Sequence, residues 1–393
     1  MQLLDLVVWL AVFPFCLCLA VLGVECLLGL RPIRSSAQGA SGKIALIMPA
    51  HNEALTIGES LASLLAHCPP DVRLIVVADN CTDDTAQIAR LHPCEVLVRD
   101  DPELRGKGFA LAHAHDHLAL DPPDVVIVLD ADCAISRGGI EALASVVQAS
   151  GMAAQAVNLQ FDRSRSGGLV DVSNFALLVK NLVRTRGLQR LSGSSSLFGT
   201  GMALPWHHFR RETLATDNIV DDLALTVELC RAGVRCKLVE NAVVSSPSAS
   251  WAETINQRRR WEHGFLITGM TKALPLIAQG LRQGSRRLCG YGLHLLVPPL
   301  ALLLMLASLM LVLAGILAAL GASWGPVVTL AILLLFAGCA VLTAWFVEGR
   351  QILAWKSLVQ IPFYALRKVP IYASLLLSRQ TAWTRTRRNG EDS

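Results

Sequence analysis

Ile44-Ala45-Leu46-Ile47-Met48-Pro49-Ala50-His51-Asn52-Glu53 is an apolar run that breaks into a polar cluster. Ile44–Met48 reads as a buried strand, because short, continuous apolar segments bounded by turn residues suit a sheet covered on both faces. Leu74–Ala78 repeats the pattern and breaks into Asp79-Asn80-Cys81-Thr82-Asp83-Asp84-Thr85. Val125–Leu129 repeats it again and breaks into Asp130-Ala131-Asp132. Between these runs, Ile57–Cys68, Thr85–Leu91 and Lys107–Leu120 read as helices. Strand–helix alternation implies an α/β domain with a mainly parallel sheet. In such sheets ligands bind beyond the carboxyl ends of the strands, so three polar clusters at three strand ends describe one crevice.

Composition sets the surroundings of that domain. The chain has 393 residues, of which 53% are apolar and 17% charged, with a formal net charge of +4. Soluble domains average about 45–50% apolar and about 25% charged residues, so an ordinary soluble enzyme and a disordered chain are both disfavoured. The small net charge gives no field for nucleic acid. The eleven cysteines are odd in number and contain no C-x-x-C, which reads as reduced, buried thiols and not as a disulfide scaffold or zinc site.

The apolar excess is concentrated at the two ends. Leu6–Val24 is charge-free and long enough to span a bilayer. It lacks the basic start and small-residue cleavage site of a signal peptide, so it reads as a retained anchor. Leu288–Val347 carries no Asp, Glu, Lys or Arg, and the turn cluster Gly321–Pro326 divides it into two spans near 295–320 and 326–347. Arg31, Arg34 and Lys43 after the anchor, and Arg282, Arg286, Arg287, Arg350 and Lys356 around the pair, place the middle of the chain in the cytoplasm. In 351–378, Lys356, Arg367 and Lys368 cut the apolar content into pieces too short to span, with Trp355, Tyr364 and Tyr372 interleaved. That pattern suits helices lying in the interface. The expected organisation is an anchor at 1–39, an α/β domain at 40–280, two spans at 281–350, and interfacial helices with a basic tail at 351–393.

Each polar cluster also has a local reading. Asn52 could cap a helix starting near Leu55, and Thr82 could cap the next one, with Asp83 and Asp84 complementing its dipole. Asp79 sits before that cap, where its carboxylate can face a base or ribose. Asp130 and Asp132 repel unless a cation offsets them, and a hard divalent ion held by carboxylates and substrate phosphates, Mg²⁺ or Mn²⁺, fits. Arg105-Gly106-Lys107-Gly108 opens a helix and suits an anion. Further on, Gly199-Thr200-Gly201 is followed by Asp221-Asp222, which open a helix that Gly233 stops. Gln257-Arg258-Arg259-Arg260-Trp261 lies on a helix, where Arg258 and Arg259 could form a basic stripe against lipid headgroups.

The order Pro49-Ala50-His51-Asn52-Glu53, Asp79, Asp130-Ala131-Asp132, Asp221-Asp222 and Gln257-x-x-Arg260-Trp261 resembles the family 2 glycosyltransferases. The resemblance is to their membrane-bound members, which include cellulose, chitin and hyaluronan synthases and the exopolysaccharide glycosyltransferases. It covers residues 44 to about 264. It implies a GT-A fold and an inverting transfer from a UDP- or GDP-linked sugar to a lipid-linked or glycan acceptor. By position, Pro49, His51, Glu53, Asp79, Lys107 and Asp130 would serve the donor nucleotide. Asp132 would bind the metal, Mg²⁺ or Mn²⁺. Asp222 would be the general base. Gly199, Thr200, Gly201, Asp221, Gln257, Arg260 and Trp261 would hold the diphosphate and acceptor. Asp221 departs from the Glu usual there. The implied setting is a bacterial inner membrane with a cytoplasmic catalytic domain, membrane lipid as a contact, and partners in an envelope glycan assembly system. A processive polysaccharide synthase is the alternative. A non-catalytic scaffold is disfavoured because the metal acid and the base are both present. A transporter would need more spans.

Overall fold

The computed structural model describes residues 3–34, 39, 41–161, 168–215, 221–247 and 251–377. The chain forms two compact units. Of the described residues, one unit gathers 3–31, 168–193 and 254–377, and the other those within 32–161 and 194–253.

The second unit is built on one sheet of eight strands: β1 (Ile44–Ala50), β2 (Val72–Asp79), β3 (Glu95–Arg99), β4 (Val125–Val128), β5 (Ala134–Ile135), β6 (Ala153–Phe161), β7 (Met202–Pro205) and β8 (Cys236–Pro247). Their order is β3-β2-β1-β4-β7-β6-β8-β5. β1 is parallel to β2 and β4, β2 to β3, and β6 to β8, while β7 runs antiparallel to both its neighbours and β5 antiparallel to β8. The mainly parallel α/β architecture expected from the first three apolar runs is present.

Alternation along each strand divides the core between two faces. Leu46, Met48, Leu74, Val76 and Ile127 pack on one side with Ile57, Leu61 and Leu64, spaced i, i+4, i+7 on helix Ile57–Leu65. Ala45, Ile47, Ile75, Val77, Val126 and Val128 pack on the other with Leu111 and Leu118 of helix Lys107–Leu118. Both faces are buried, which is why these strands are continuous apolar runs.

The sheet opens where the site will be. β1 pairs with β4 only as far as Ile47↔Val128, but with β2 as far as Ala50↔Ala78. Three residues of β1, Met48 to Ala50, therefore extend past β4. Pro49 falls in this extension, where a missing N–H costs no hydrogen bond to β4.

The other unit holds the apolar helices. Leu3–Gly29, Leu300–Ala319 and Gly325–Gly349 are long and apolar enough to cross a membrane. Leu3–Gly29 meets the helical segment Val179–Ser192 through glycine. A Cβ on Gly187 would lie 2.0 Å from the Glu25 carbonyl oxygen, and one on Gly29 would lie 1.8 Å from that of Val183. Beside these contacts, Glu25 accepts from Arg184 Nε at 2.7 Å and lies 2.8 Å from His294 Nδ1, so a buried carboxylate is matched by a buried guanidinium. The segment after the third span forms short helical pieces, Trp355–Gln360, Ile361–Arg367 and Val369–Leu377. The basic tail at 384–389 lies outside the described residues.

All eleven cysteines are free, but only Cys16, Cys26, Cys133, Cys230 and Cys236 are buried, and Cys339 is exposed. Arg258 is not on a lipid-facing stripe. It is buried, donates from Nε to Ser173 Oγ at 3.2 Å and lies over the Trp261 ring at 5.2 Å.

Candidate active site

The ends of β1 and β2 are joined by side chains. His51 Nδ1 lies 2.7 Å from the Asp79 carbonyl. A carbonyl only accepts, so Nδ1 carries the proton in this contact. Glu53 N–H donates to Thr85 Oγ1 at 2.7 Å, and the Glu53 carboxylate accepts from Thr56 Oγ1 at 2.7 Å. Asn52 and Asn80 both adopt positive φ, 55° and 51°. Such a backbone is uncommon outside glycine, and asparagine tolerates it best. Each uses its amide to tie loops together. Asn52 Oδ1 accepts from Thr82 N–H at 2.7 Å, and Asn80 Oδ1 accepts from Asp101 N–H at 2.8 Å. Asn52 is therefore a bridge to the second cluster and not the cap of its own helix, which starts at Ile57 after Thr56. The next helix begins at Thr85 after Asp84, so Thr82 is not its cap, and Thr85 donates from its N–H and hydroxyl to Asp83 Oδ1.

Asp79 is buried at the tip of β2, and its Oδ1 accepts from Arg99 Nη1 at 2.6 Å and Asn80 Nδ2 at 3.2 Å. Arg99 also donates to Asp101 at 3.1 Å. The sequence reading missed Arg99. A lone arginine ending an unassigned strand carries no periodic signal.

A second group converges past the end of β4. The Lys107 ammonium donates to Asp130 Oδ1 and, at 2.7 Å, to the Gly199 carbonyl. Asp130 N–H donates to Thr200 Oγ1 at 3.0 Å. Ligand atoms of Asp130, Asp132 and Cys133 lie within 4.8 Å of one another. Burial, reinforced by the Asp132 and Asp130 charges, pushes the Cys133 thiol well above its ordinary value. It stays protonated, and the usable donors are carboxylate oxygens, a hard set suited to Mg²⁺ or Mn²⁺. Burial alone would lower the Lys107 ammonium. Asp130, with Asp222 beyond it, outweighs burial and holds it above its ordinary value.

Asp222 opens helix Asp221–Arg231 with Asp221 beside it, and its Oδ1 accepts from Leu223 N–H at 2.9 Å. Gly199 separates Asp222 from Lys107. A Cβ placed there would be 3.7 Å from Asp222 Cβ and 3.6 Å from Lys107 Nζ. Thr226 fixes this helix against the loop: its hydroxyl donates to the Asp222 carbonyl at 2.7 Å and accepts from Leu197 N–H at 3.1 Å.

The loop itself is held from beneath by Gln155. This fully buried side chain donates to the Thr200 carbonyl at 2.8 Å and accepts from Phe198 N–H at 2.9 Å. Gly199 and Gly201 take φ of +76° and +63°, and a Cβ on Gly201 would meet Val244 Cγ2 at 2.5 Å. Gln155 is absent from the motifs of the sequence, although a glutamine between alanines in an apolar strand is a readable anomaly.

The structure thus brings together Lys107, Asp130, Asp132, Gly199, Thr200, Gly201 and Asp222. Pro49, His51, Glu53 and Asp79 form the neighbouring cluster at the ends of β1 and β2. Gln257, Arg260 and Trp261 belong to the other unit, on helix Trp251–Gln283.

The model of a family described as "Glycosyltransferase like family 2" matches residues 41–264, more than half of the chain. The chain belongs to glycosyltransferase family 2. Among family 2 relatives, an uncharacterized glycosyltransferase of Mycobacterium tuberculosis is 36% identical over 104 residues, 26% of this chain and 43% of that protein. The chain thus spans less than half the length of this relative. YaiP of Escherichia coli, also an uncharacterized glycosyltransferase, is 26% identical over 255 residues, 61% of this chain and 60% of its own. The fold is shared with the mannosyltransferase PcManGT of Pyrobaculum calidifontis, solved in complex with GDP-Man and Mn²⁺. The TM-score is 0.55 at 19% identity, covering 88% of this chain and all of that one. The GT-A expectation is met on that likeness.

Proposed function

We propose that this family 2 chain is an integral-membrane glycosyltransferase. It moves a sugar, with inversion, from a UDP- or GDP-linked donor to a lipid-linked or glycan acceptor at the membrane, in the assembly of an exopolysaccharide or other envelope glycan. The observation that carries the reading is the convergence of Lys107, Asp130 and Asp132 on one side of Gly199 with Asp222 on the other. In-line displacement at an anomeric carbon needs cationic stabilisation of the leaving diphosphate and an acid–base group near the incoming hydroxyl.

Asp132, with Asp130, would hold Mg²⁺ or Mn²⁺, which as a Lewis acid supplies charge for the diphosphate. Lys107 neutralises Asp130 and presents a second cation beside it. Asp79, held by Arg99, offers its carboxylate edge to the nucleoside, and His51 and Glu53 keep the β1–β2 ends in place. Asp222 takes the proton from the acceptor hydroxyl. Gln257, Arg260 and Trp261 serve the diphosphate and acceptor. Mn²⁺ and a nucleotide sugar in PcManGT support the cofactor and donor classes. The three span-length helices and the bacterial relatives support a bacterial inner-membrane setting with a cytoplasmic catalytic domain and partners in glycan assembly. The Gln257-x-x-Arg260-Trp261 pattern favours a second reading, a processive synthase.

The test is nucleotide release by the purified, detergent-solubilised protein from a panel of UDP- and GDP-sugars. It is run with and without Mg²⁺ or Mn²⁺, with bacterial lipid extract as acceptor source. Metal-dependent release from one donor, lost in Asp222→Asn, is expected, and product size separates single addition from polymerisation. Release unchanged in Asp222→Asn would sink the assignment of the base.

A further inference from the structure

Asp79 ends β2 and is only 6% exposed, and its two carboxylate oxygens are not equivalent. Oδ1 accepts from Arg99 Nη1 at 2.6 Å and from Asn80 Nδ2 at 3.2 Å. A carboxylate oxygen has about two acceptor positions, so Oδ1 is filled. Arg99 does not close a two-pronged fork on Asp79. Its other arm, Nη2, donates to Asp101 Oδ2 at 3.1 Å, and its guanidinium lies over the Phe109 ring at 5.7 Å. Asp101 is held in turn, because its N–H donates to Asn80 Oδ1 at 2.8 Å. The guanidinium is thus fixed on both sides, and Oδ2 is the oxygen that Asp79 can offer a ligand.

Strand order says which part of a nucleotide reaches that oxygen. β1 lies between β2 and β4. Asp79 is therefore two strand spacings, about 10 Å, across the sheet from the acids that follow β4. On the donor reading above, the diphosphate lies with those acids, Asp130 and Asp132. The ribose then crosses the end of β1. The base, the part of a nucleotide farthest from its diphosphate, arrives at β2.

The bases present different edges to a single buried acceptor. Guanine offers two donors side by side, N1–H and N2–H, which suit a carboxylate with both oxygens open. With Oδ1 filled, one of these donors is left unmet in a desolvated place, which is costly. Uracil offers one donor, N3–H, between two carbonyls, and one oxygen satisfies it. Cytosine has the same ring size but a lone pair at N3, which Oδ2 repels.

We infer that Arg99, by filling Oδ1, makes Asp79 a single-acceptor reader of uracil, so that the donor is a UDP-sugar and not a GDP-sugar. This rests on the glycosyltransferase reading above and deepens it. Arg99 is a positioning residue here, since it acts on the base through Asp79.

The test is calorimetric binding of UDP, GDP and CDP, each with Mn²⁺, to the full-length, detergent-solubilised protein. UDP is expected to bind at least about tenfold more tightly than GDP or CDP. Asp79→Asn, nearly isosteric, gives the sharper result. Arg99 and Asn80 both donate toward the Oδ1 position, so they hold the introduced carbonyl there and turn the amide NH₂ toward the base. That group suits the N3 lone pair of cytosine and opposes the N3–H of uracil, so the preference for UDP over CDP should reverse. Arg99→Met reopens Oδ1, and the UDP-to-GDP affinity ratio should fall at least about fivefold, whereas Arg99→Lys, still a donor, should keep it. Loss of structure alone would weaken all three nucleotides together and leave the ratios unchanged. GDP or CDP binding as tightly as UDP to the parent, or UDP still preferred over CDP by Asp79→Asn, would overturn the reader. An unchanged ratio in a folded Arg99→Met would overturn the role of Arg99. Binding of none of the three would overturn the inference together with the glycosyltransferase reading. Absent sugar transfer with the UDP preference and its reversal intact would count against the catalytic reading alone.

Discussion

The Lys107 ammonium is hydrogen-bonded to Asp130 Oδ1 and, through its second contact to the Gly199 carbonyl, stands between the carboxylate pair of the β4 end and the helix that carries Asp222. It is therefore both a partner of Asp130 and a rival to any divalent ion. Lys107→Met should separate the two roles. Without the ammonium, Asp130 and Asp132 repel each other unless a metal is bound, so Mn²⁺ should bind more tightly in a calorimetric titration. Turnover should fall about 10²–10³-fold, the usual cost of losing one charge-stabilising donor. Weaker Mn²⁺ binding in this variant would contradict the rivalry.

Alkaline stability follows from the same contact. Asp130 and Asp222 hold the folded-state pKa of Lys107 above its ordinary value against the opposing effect of burial. The stabilisation from the ammonium is then complete below the unfolded-state value, about 10.4. It is lost as pH rises through the still higher folded-state value. Thermal unfolding followed from about pH 10.4 upward should show this loss. Lys107→Arg, charged throughout that range, should flatten it. An identical alkaline slope in both proteins would exclude Lys107 as its source.

Gly201 has neither the backbone nor the space for a side chain. Its φ is +63°, and a Cβ would reach 2.5 Å from Val244 and 2.9 Å from Ala156. Gly201→Ala should cost about 2–4 kcal/mol, combining a strained backbone with overpacking. It should be visible as a lower melting temperature with or without nucleotide. A variant as stable as the parent would mean the loop can move aside without penalty.

Beneath that loop, Gln155→Leu leaves the Thr200 carbonyl and Phe198 N–H without their partner inside the sheet. Each buried unmet group costs about 1–3 kcal/mol. The effect on donor binding should exceed that of an apolar change elsewhere in the core, because Thr200 receives the Asp130 N–H. Melting temperature and nucleotide affinity, measured together, check this. Unchanged affinity in a destabilised protein would reduce Gln155 to a structural role.

These residues also show what the sequence discloses. β1, β2 and β4 are buried on both faces, so their apolar runs are continuous, and the clusters that follow them are visible without coordinates. The same logic marks the spans, since a charge-free run of twenty residues has few alternatives. β3 is only partly buried and its five residues alternate weakly, which hid Arg99 as the partner of Asp79. β7 is four residues long, and β5 only two. Nothing local in residues 168–193 indicates that they join the unit of the apolar helices, because that placement depends on distant partners such as Glu25 for Arg184 and Glu348 for Arg186. The reach of Asn52 to Thr82 was hidden for the same reason. A capping asparagine and a bridging one look alike until the other loop is known.

The sharpest test of the catalytic reading is at Asp222. Its helix is anchored through Thr226 to the loop before Gly199, and its own Oδ1 already accepts from Leu223 N–H. Asparagine has nearly the same shape and retains a carbonyl oxygen able to accept that bond, so Asp222→Asn should fold and melt like the parent. It keeps no basic oxygen for the acceptor proton. Donor and metal binding, which lie with Asp130, Asp132 and Lys107, should change by less than about threefold. Transfer should fall about 10²–10⁴-fold, the range of a general base. Losses in binding and transfer of equal size would instead assign Asp222 to the donor, and the base would have to be sought elsewhere.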